Sequence, residues 1–436
     1  MTAGPAMVFA ALIAAPVLIL TAGEARAQTK NASRDAASAG KAKKATGAQA
    51  TEAAREARPS FSVWIVALKA EAKAKGIGEK TIRAAFRNVT VNRKVIALDN
   101  HQPEFVSPIG AYVAARTTAD TLKLGRAKRL KHAKLFKKVQ AAYGVPSRYI
   151  VAIWRLESGY GANFGSYRIV EALATLAYAG GPKRRPFWRS QLIAALQIAD
   201  KGYAPLNRLV GSWAGAMGHT QFIPTTYLEH AVDFDGDKRR DLWRSLPDVF
   251  ASTANYLKKS GWKPGLPFGW EVRLPKGFDY AQAHLKVRKT VAEWQALGVK
   301  RANGQPLPKV DSSVSIVVPA GYRGPVFLVT DNYRAILRYN NASAYALTVG
   351  LLAERLVWRG ALKATWPVRD RLLKRAEKTE LQKRLITLGY DPGPVDGMVG
   401  PTTKKAIRAF QKKAGKPADG YANYALLQAV RKAAIQ

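Results

Sequence analysis

The stretch that most constrains the chain is Ile150-Val-Ala-Ile-Trp-Arg-Leu-Glu157-Ser-Gly-Tyr-Gly161. An apolar helical run, opened by Gly144-Val-Pro146, ends there on a single glutamate followed at once by small, turn-forming residues. Pro146 is placed to start the helix, because a first turn leaves its N–H groups unpaired and proline has none. Ile153 lies one turn before Glu157, Trp154 and Leu156 flank it, and Tyr160 follows. Desolvation by such neighbours raises a carboxyl pKa, and the negative end of the helix dipole acts in the same direction. A general acid needs that direction. The pattern also suits a structural glutamate paired with an arginine.

The rest of the composition removes competing chemistries. With 436 residues and a hydrophobic fraction of 47%, the chain has material for two or three domains and at least one large core. It has no cysteine, which excludes disulfides, thiolate metal sites, a cysteine nucleophile and a lipid-anchored N-terminal cysteine. The five histidines (His101, His132, His219, His230, His284) have no metal-ligand spacing, so Ser-His and metallohydrolase chemistry lack material. Carboxylate chemistry remains. A conventional glycosidase sets a second carboxylate across the bond, and none is paired with Glu157 in an obvious motif.

The formal net charge is +40, from 70 Lys and Arg against 30 Asp and Glu. Such an excess favours polyanions: nucleic acid, anionic lipid or an acidic wall polymer. Residues 1–27 narrow the choice. Val8 to Leu20 is an apolar core of signal-peptide length, and Ala25-Arg26-Ala27 is a small-x-small cleavage site before Gln28. The n-region departs from the pattern, offering only the terminal amine, and an uncleaved anchor is the alternative. Export to the periplasm argues against nucleic acid as the partner. Residues 28–58 are Ala, Lys, Ser and Thr with almost no large apolar residue, and read as a disordered linker.

Folded sequence begins near Phe61, where Phe61, Trp64, Ile65 and Leu68 recur at helical spacing. His101-Gln-Pro-Glu104 breaks the helical region. Leu122 to Ala142 is rich in lysine and arginine, with Leu130, Leu135, Phe136 and Val139 on one side. It reads as the solvated face of a packed helix or as a basic polymer-binding helix, the former being commoner. Helices are expected at Ile169–Ala179, Ser190–Asp200 and Phe250–Lys259. Gly211-Ser-Trp-Ala-Gly-Ala-Met-Gly218 is too glycine-rich for a regular helix and suits close backbone approach. From Trp270 the texture changes: Glu271–Leu274, Val314–Val318 and Val326–Thr330 are short, β-branched and bounded by Gly and Pro, and read as strands. Helical character returns at Ala344–Trp358. A charged linker over 369–378 leads to a unit reading helix (Glu380–Leu388), helix (Pro401–Ala414), helix (Tyr424–Ala434). The fold class is α+β, mainly helical, with a small β-containing subdomain and a three-helix C-terminal unit.

Seven aromatic residues could stack on sugar rings: Tyr160, Phe164, Tyr167, Trp188, Trp213, Phe222 and Tyr227. About half of such residues are expected to be core. Asp233-Phe-Asp235-Gly-Asp237-Lys-Arg-Arg-Asp241 carries oxygen ligands at positions 1, 3, 5 and 9 of a calcium loop. It departs at position 6, Lys238 in place of glycine, and at position 12, Arg244 in place of glutamate, although Asp248 could supply the late carboxylate from a longer loop. The alternative is a turn whose aspartates cap the following segment and pair with Arg239 or Arg240.

Several motifs then occur in order: Ala152-Ile-Trp-Arg-Leu-Glu-Ser-Gly-Tyr-Gly161, Glu171-Ala-Leu-Ala-Thr-Leu-Ala-Tyr178, Gly211 to Pro224, Ala231-Val-Asp-Phe-Asp-Gly-Asp237, Ser252-Thr-Ala-Asn-Tyr-Leu257 and Arg338-Tyr-Asn-Asn-Ala-Ser-Ala-Tyr345. They resemble the lytic murein transglycosylase B family (glycoside hydrolase family 103), over roughly residues 60–365. Leu381-Gln, Leu388-Gly-Tyr390, Val395-Asp-Gly397, Gly400-Pro401-Thr402, Phe410-Gln411 and Asp419-Gly420 are similar to a peptidoglycan-binding domain.

The resemblance implies a lysozyme-like catalytic domain over 59–368 and a peptidoglycan-binding domain over 379–436. It implies one catalytic glutamate, Glu157, acting without water. Protonation of the glycosidic oxygen between N-acetylmuramic acid and N-acetylglucosamine, with help from the muramoyl acetamido group, would be followed by deprotonation of the C6 hydroxyl and closure of a 1,6-anhydro ring. Substrate-binding positions map onto Arg184, Arg185, Ser212, Met217, Gln221, Tyr339, Asn340 and Tyr345. The family's calcium loop maps onto Asp233, Asp235 and Asp237. No cofactor is required, a structural calcium apart. The expected partners are peptidoglycan and proteins of wall synthesis or remodelling, with no nucleic acid and no lipid anchor.

Overall fold

The computed structural model describes residues 59–100, 107–357 and 360–434. The expected leader at 1–27, the expected linker at 28–58 and the expected break at His101–Glu104 lie outside these residues. Three apolar clusters organise the chain. The largest gathers helices from Phe61–Ala74 through Ser343–Leu356. Within it runs Ser147–Ser158, where every residue from Tyr149 to Trp154 is buried. A helix that is apolar all round has no face to give to water, so it needs neighbours on every side. Ala119–Lys131, Leu246–Lys259 and Ser343–Leu356 supply them. Pro146 stands immediately before the first turn, and Gly159 closes the last with φ at 62°. A glycine adopts that left-handed conformation without steric cost.

Two short strands, β1 (Tyr167–Arg168) and β2 (Val210–Gly211), pair antiparallel beside this helix end. The second cluster is the sheet region. β3 (Gly269–Arg273), β4 (Lys300–Arg301), β5 (Ser315–Val317) and β6 (Val326–Val329) form an antiparallel sheet in the order β4-β3-β6-β5. Val272, Ile316, Val326 and Leu328 pack with Trp294 on one side of it. The three strands expected from β-branched runs are present within one or two residues. β4 was not legible, because it is a two-residue pairing with no alternation of its own.

The third cluster is the C-terminal unit, with helices Arg375–Thr387, Pro401–Lys413 and Tyr424–Ala433. The expected linker over 369–378 is cut short. Leu373 is wholly buried in the C-terminal core and the first helix starts at Arg375. Arg371 makes two hydrogen bonds to the Glu377 carboxylate, at 2.9 and 2.7 Å, and the Lys374 N–H donates to it at 2.9 Å. The charge run is therefore the first turn's own cap and not a solvated tether. The basic stretch Leu122 to Ala142 also divides, into Ala119–Lys131 and Ala133–Tyr143. The break at His132 leaves Leu130 80% exposed while Phe136 and Val139 are buried. Among the described residues no helix is long and apolar enough to cross a membrane.

Candidate active site

Glu157 occupies the last turn of the buried helix, with its side chain only partly covered. Tyr345, on Ser343–Leu356, donates its hydroxyl to Glu157 Oε1 at 2.5 Å. Among the described residues Glu157 makes no ion pair, so the arginine-paired alternative is not what this glutamate does. Burial pushes its carboxyl up to about 7, and the Tyr345 hydrogen bond draws it partly back. No neighbouring charge contributes to the shift. A carboxyl desolvated by burial, with no cation beside it to favour the ionised form, holds its proton near neutrality.

Tyr345 and Tyr339 lie parallel, with ring centroids 6.4 Å apart and 10° between planes. Tyr339 in turn donates to the Thr220 carbonyl at 2.7 Å and packs against Tyr256 and Phe222. Burial and the nearby Glu157 charge hold both phenols well above their usual range, so they remain hydrogen-bond donors at any working pH. On the other side Tyr112 carries Arg116 over its ring at 3.6 Å. Burial raises the Tyr112 phenol, Arg116 opposes that, and Glu157 adds to it. Asn340 closes the Asp331–Tyr339 helix, and among the described residues its buried Oδ1 has no hydrogen-bond partner.

The glycine-rich segment forms the loop beside this cluster. Met217 pairs with Gly211 and with Phe222 in isolated bridges. Gly218, at φ 60°, has space for nothing larger: a Cβ there would stand 2.4 Å from the Leu242 carbonyl oxygen. The Ser212 hydroxyl accepts the Ala216 N–H at 3.0 Å. Gln221, at φ 52°, donates its amide to the carbonyls of Gly218 at 2.9 Å and Phe164 at 3.1 Å.

Other expected residues stand differently. Met217 has no exposed surface and packs in the large apolar cluster. Arg184 is committed to Asp99 at 3.0 Å and stacks over Trp188, and Arg185 donates to the Gly180 carbonyl at 2.8 Å. Of the seven candidate sugar-stacking rings, Tyr160, Trp188, Phe222 and Tyr227 are core, while Phe164, Tyr167 and Trp213 keep some surface. Sequence reasoning did not single out Tyr112, which no local pattern marks, nor Thr220 and Tyr256, although both lie within quoted motifs.

In the aspartate loop, ligand oxygens of Asp233, Asp235, Asp237 and Asp248 lie within 4.8 Å of one another. Asp233 accepts the N–H groups of Gly236 and Lys238 at 2.7 and 2.8 Å, and Asp237 accepts that of Arg239 at 2.8 Å. Lys238 takes the left-handed conformation, φ 68°, that position 6 demands. Asp248 is wholly buried, and burial followed by Asp235 and Asp233 pushes its carboxyl to about 6 against two backbone N–H bonds. Among the described residues no ion pair joins these aspartates to Arg239 or Arg240. Four convergent carboxylates with no cation of their own fit a hard divalent ion.

A lone, proton-holding glutamate beside a cluster of tyrosines is a candidate general acid. The comparisons give the class of protein. The transglycosylase SLT domain model matches residues 60–354, and a peptidoglycan binding domain model matches 374–430. Membrane-bound lytic murein transglycosylase B of Escherichia coli K12 is 32% identical over 256 residues, 57% of this chain and 68% of that one. SltB3 from Pseudomonas aeruginosa in complex with NAG-anhNAM-pentapeptide superposes with a TM-score of 0.82 at 49% identity, covering 85% of this chain and 99% of that one. The Escherichia coli lytic transglycosylase Slt35 in complex with calcium gives 0.57 at 28% identity, covering 69% and 93%. The chain belongs to the transglycosylase SLT domain family. It is a peptidoglycan lytic transglycosylase with a mainly helical, lysozyme-like catalytic domain and a C-terminal peptidoglycan-binding domain.

Proposed function

We propose that Glu157 is the single catalytic group, acting first as acid and then as base. Protonated near neutrality, it gives its proton to the glycosidic oxygen between N-acetylmuramic acid and N-acetylglucosamine. The substrate's acetamido oxygen attacks C1 as that bond breaks, so the missing second carboxylate is supplied by the substrate. The Glu157 carboxylate then takes the C6 hydroxyl proton, and O6 displaces the acetamido oxygen to close a 1,6-anhydro ring. No water is consumed, and the enzyme ends with Glu157 protonated as it began. The observation that carries this reading is the isolation of Glu157: burial and Tyr345 alone set its titration. Tyr345 steadies the ionised form between the two proton transfers.

We further propose that the aspartate loop holds a structural calcium through Asp233, Asp235, Asp237 and Asp248. The ion would fix the loop that precedes Leu246–Lys259; no proton step passes through it. The apolar leader with Ala25-Arg26-Ala27 supports action in the periplasm.

The test is product-resolved digestion of sacculi. Anhydromuropeptides, lighter by one water than hydrolytic products, are the expected outcome. Reducing ends alone would turn the same site into a hydrolytic muramidase. Glu157→Gln should lose activity by about 100-fold or more, the usual scale of a general acid.

A further inference from the structure

His219 has two partners that together fix its proton. The Trp154 indole N–H can only donate, and it lies 2.9 Å from His219 Nδ1. The Trp243 carbonyl can only accept, and it lies 3.2 Å from Nε2. The partners therefore assign the neutral ring with hydrogen on Nε2. The backbone holds the ring in place as well. The His219 N–H donates to the Leu242 carbonyl at 2.9 Å, and Gly161 leaves the room the ring needs, since a Cβ there would meet His219 Cε1 at 2.2 Å.

The position of this ring gives it consequence. Trp154 lies on the same helix as Glu157, one turn before it. Thr220, the next residue after His219, receives the Tyr339 hydroxyl at 2.7 Å. Tyr339 stacks on Tyr345, and Tyr345 bonds Glu157. The path Glu157, Tyr345, Tyr339, Thr220, His219, Trp154 thus returns along the helix to Glu157. We propose that His219 is a positioning residue for the glycosidic proton transfer, closing this circuit so that Glu157 is held from the helix side and from the tyrosine side at once.

The inference rests on Glu157 being the acid. It adds a second titration to the same reaction. A proton on Nδ1 would set donor against donor at Trp154 and open the circuit. Burial opposes that proton most, Lys128, whose ammonium lies 5.6 Å from the Trp154 ring centroid, opposes it too, and the Trp243 carbonyl and Asp241 favour it; the net direction is down from the usual histidine value. Loss of activity on the acid side then belongs to His219, while Glu157 in that range is already protonated and ready.

The experiment uses the full chain and soluble, uncross-linked glycan strands. His219→Ala, His219→Gln and Glu157→Gln are compared with wild type for kcat and KM across the pH range. Glutamine keeps an acceptor for Trp154 and a donor for Trp243 but cannot titrate. His219→Ala is expected to lower kcat about 10-fold with KM nearly unchanged, as for loss of a transition-state arrangement. His219→Gln should recover most of kcat at neutral pH and lose the acid-side fall. Three results would overturn the proposal: unchanged kcat in His219→Ala, a wild-type acid limb in His219→Gln, or a His219→Gln enzyme that melts like wild type yet is as slow as His219→Ala. Full activity in Glu157→Gln would instead remove the parent reading, and an inactive Glu157→Gln beside an unaffected His219→Ala would remove the positioning role alone.

Discussion

The Tyr345 hydroxyl reaches Glu157 Oε1 at 2.5 Å across 188 positions of sequence. This bond joins the Ser147–Ser158 helix, which carries the acid, to the Ser343–Leu356 helix, which packs along it. It pulls the Glu157 carboxyl down against the larger effect of burial, so that the acid titrates near 7 and not higher. A group that must give a proton and then take one back works best when neither state is strongly preferred.

Tyr345→Phe removes that bond and keeps the ring stacked on Tyr339. The Glu157 carboxyl should rise further, because only burial then acts on it. The basic limb of kcat/KM therefore moves to higher pH, while kcat falls about 10- to 100-fold as the ionised intermediate state loses its donor. A pH–rate profile reads both effects, and a basic limb that stays in place would separate Tyr345 from the titration of Glu157.

Glu157 also links stability to pH. Its folded pKa, about 7, lies above the ordinary value of 4.5. The folded state therefore binds the proton more tightly than the unfolded one does, so the stabilisation is complete below the ordinary value and is lost as pH rises through about 7. Glu157→Gln, which cannot ionise, should match wild type in acid and exceed it in alkali by about 1–2 kcal/mol, a figure reduced for the partial exposure of the side chain. Denaturant unfolding at the two pH extremes measures the difference; equal stabilities in alkali would mean that the carboxyl is better solvated than its surroundings suggest.

Much of this site was legible as chemistry and little of it as geometry. The run from Ile150 to Gly161 announces a desolvated carboxyl because burial and helix position are local properties. Tyr345 enters only through the family resemblance and Thr220 is not singled out, since the fold of distant segments alone brings them to Glu157 and Tyr339. His219 was set aside for want of metal-ligand spacing, yet its partners are an indole N–H and a carbonyl on other elements. Met217 read as a contact and proved to be wholly buried. Lys238 read as a break in the aspartate loop because glycine is usual there, but the chain adopts φ 68° regardless. For a lysine the left-handed conformation costs about 1–2 kcal/mol, which loop hydrogen bonds to Asp233 can offset.

Calcium should therefore stabilise the protein. An ion that binds only the folded chain raises the melting temperature with concentration, contributing about 2.7 kcal/mol when free calcium is 100 times the dissociation constant. Asp235→Asn should abolish the response while leaving the melting temperature in chelator close to wild type, because Asp235 is exposed and its amide analogue still accepts from Asp237 N–H. Scanning calorimetry with and without millimolar calcium measures this, and identical melting curves would reduce the loop to an Asx-turn cluster.

Wall retention should depend on the basic face as well as on the C-terminal unit. Lys134, Lys137 and Lys138 are exposed on Ala133–Tyr143, and among the described residues none makes an ion pair. A cavity of about 460 Å³ beside them is lined by Arg129, Lys137, Gln140 and Ser147, and among the described residues the buried Arg129 Nε has no hydrogen-bond partner. Ser147 begins the helix whose last turn carries Glu157, and the rise between the two residues is about 15 Å along its axis at 1.5 Å per residue. At that separation salt screens its effect on the chemistry but not its contact with a bound polyanion. Replacing Lys134, Lys137 and Lys138 together by glutamate should weaken sacculus binding and flatten its salt dependence, with kcat on short soluble strands within about two-fold of wild type. Co-sedimentation with sacculi across a salt series, read beside turnover of the short strands, distinguishes a wall-facing surface from a merely solvated one: if binding and its salt slope are unchanged, the face carries charge for solubility and the C-terminal unit holds the wall alone.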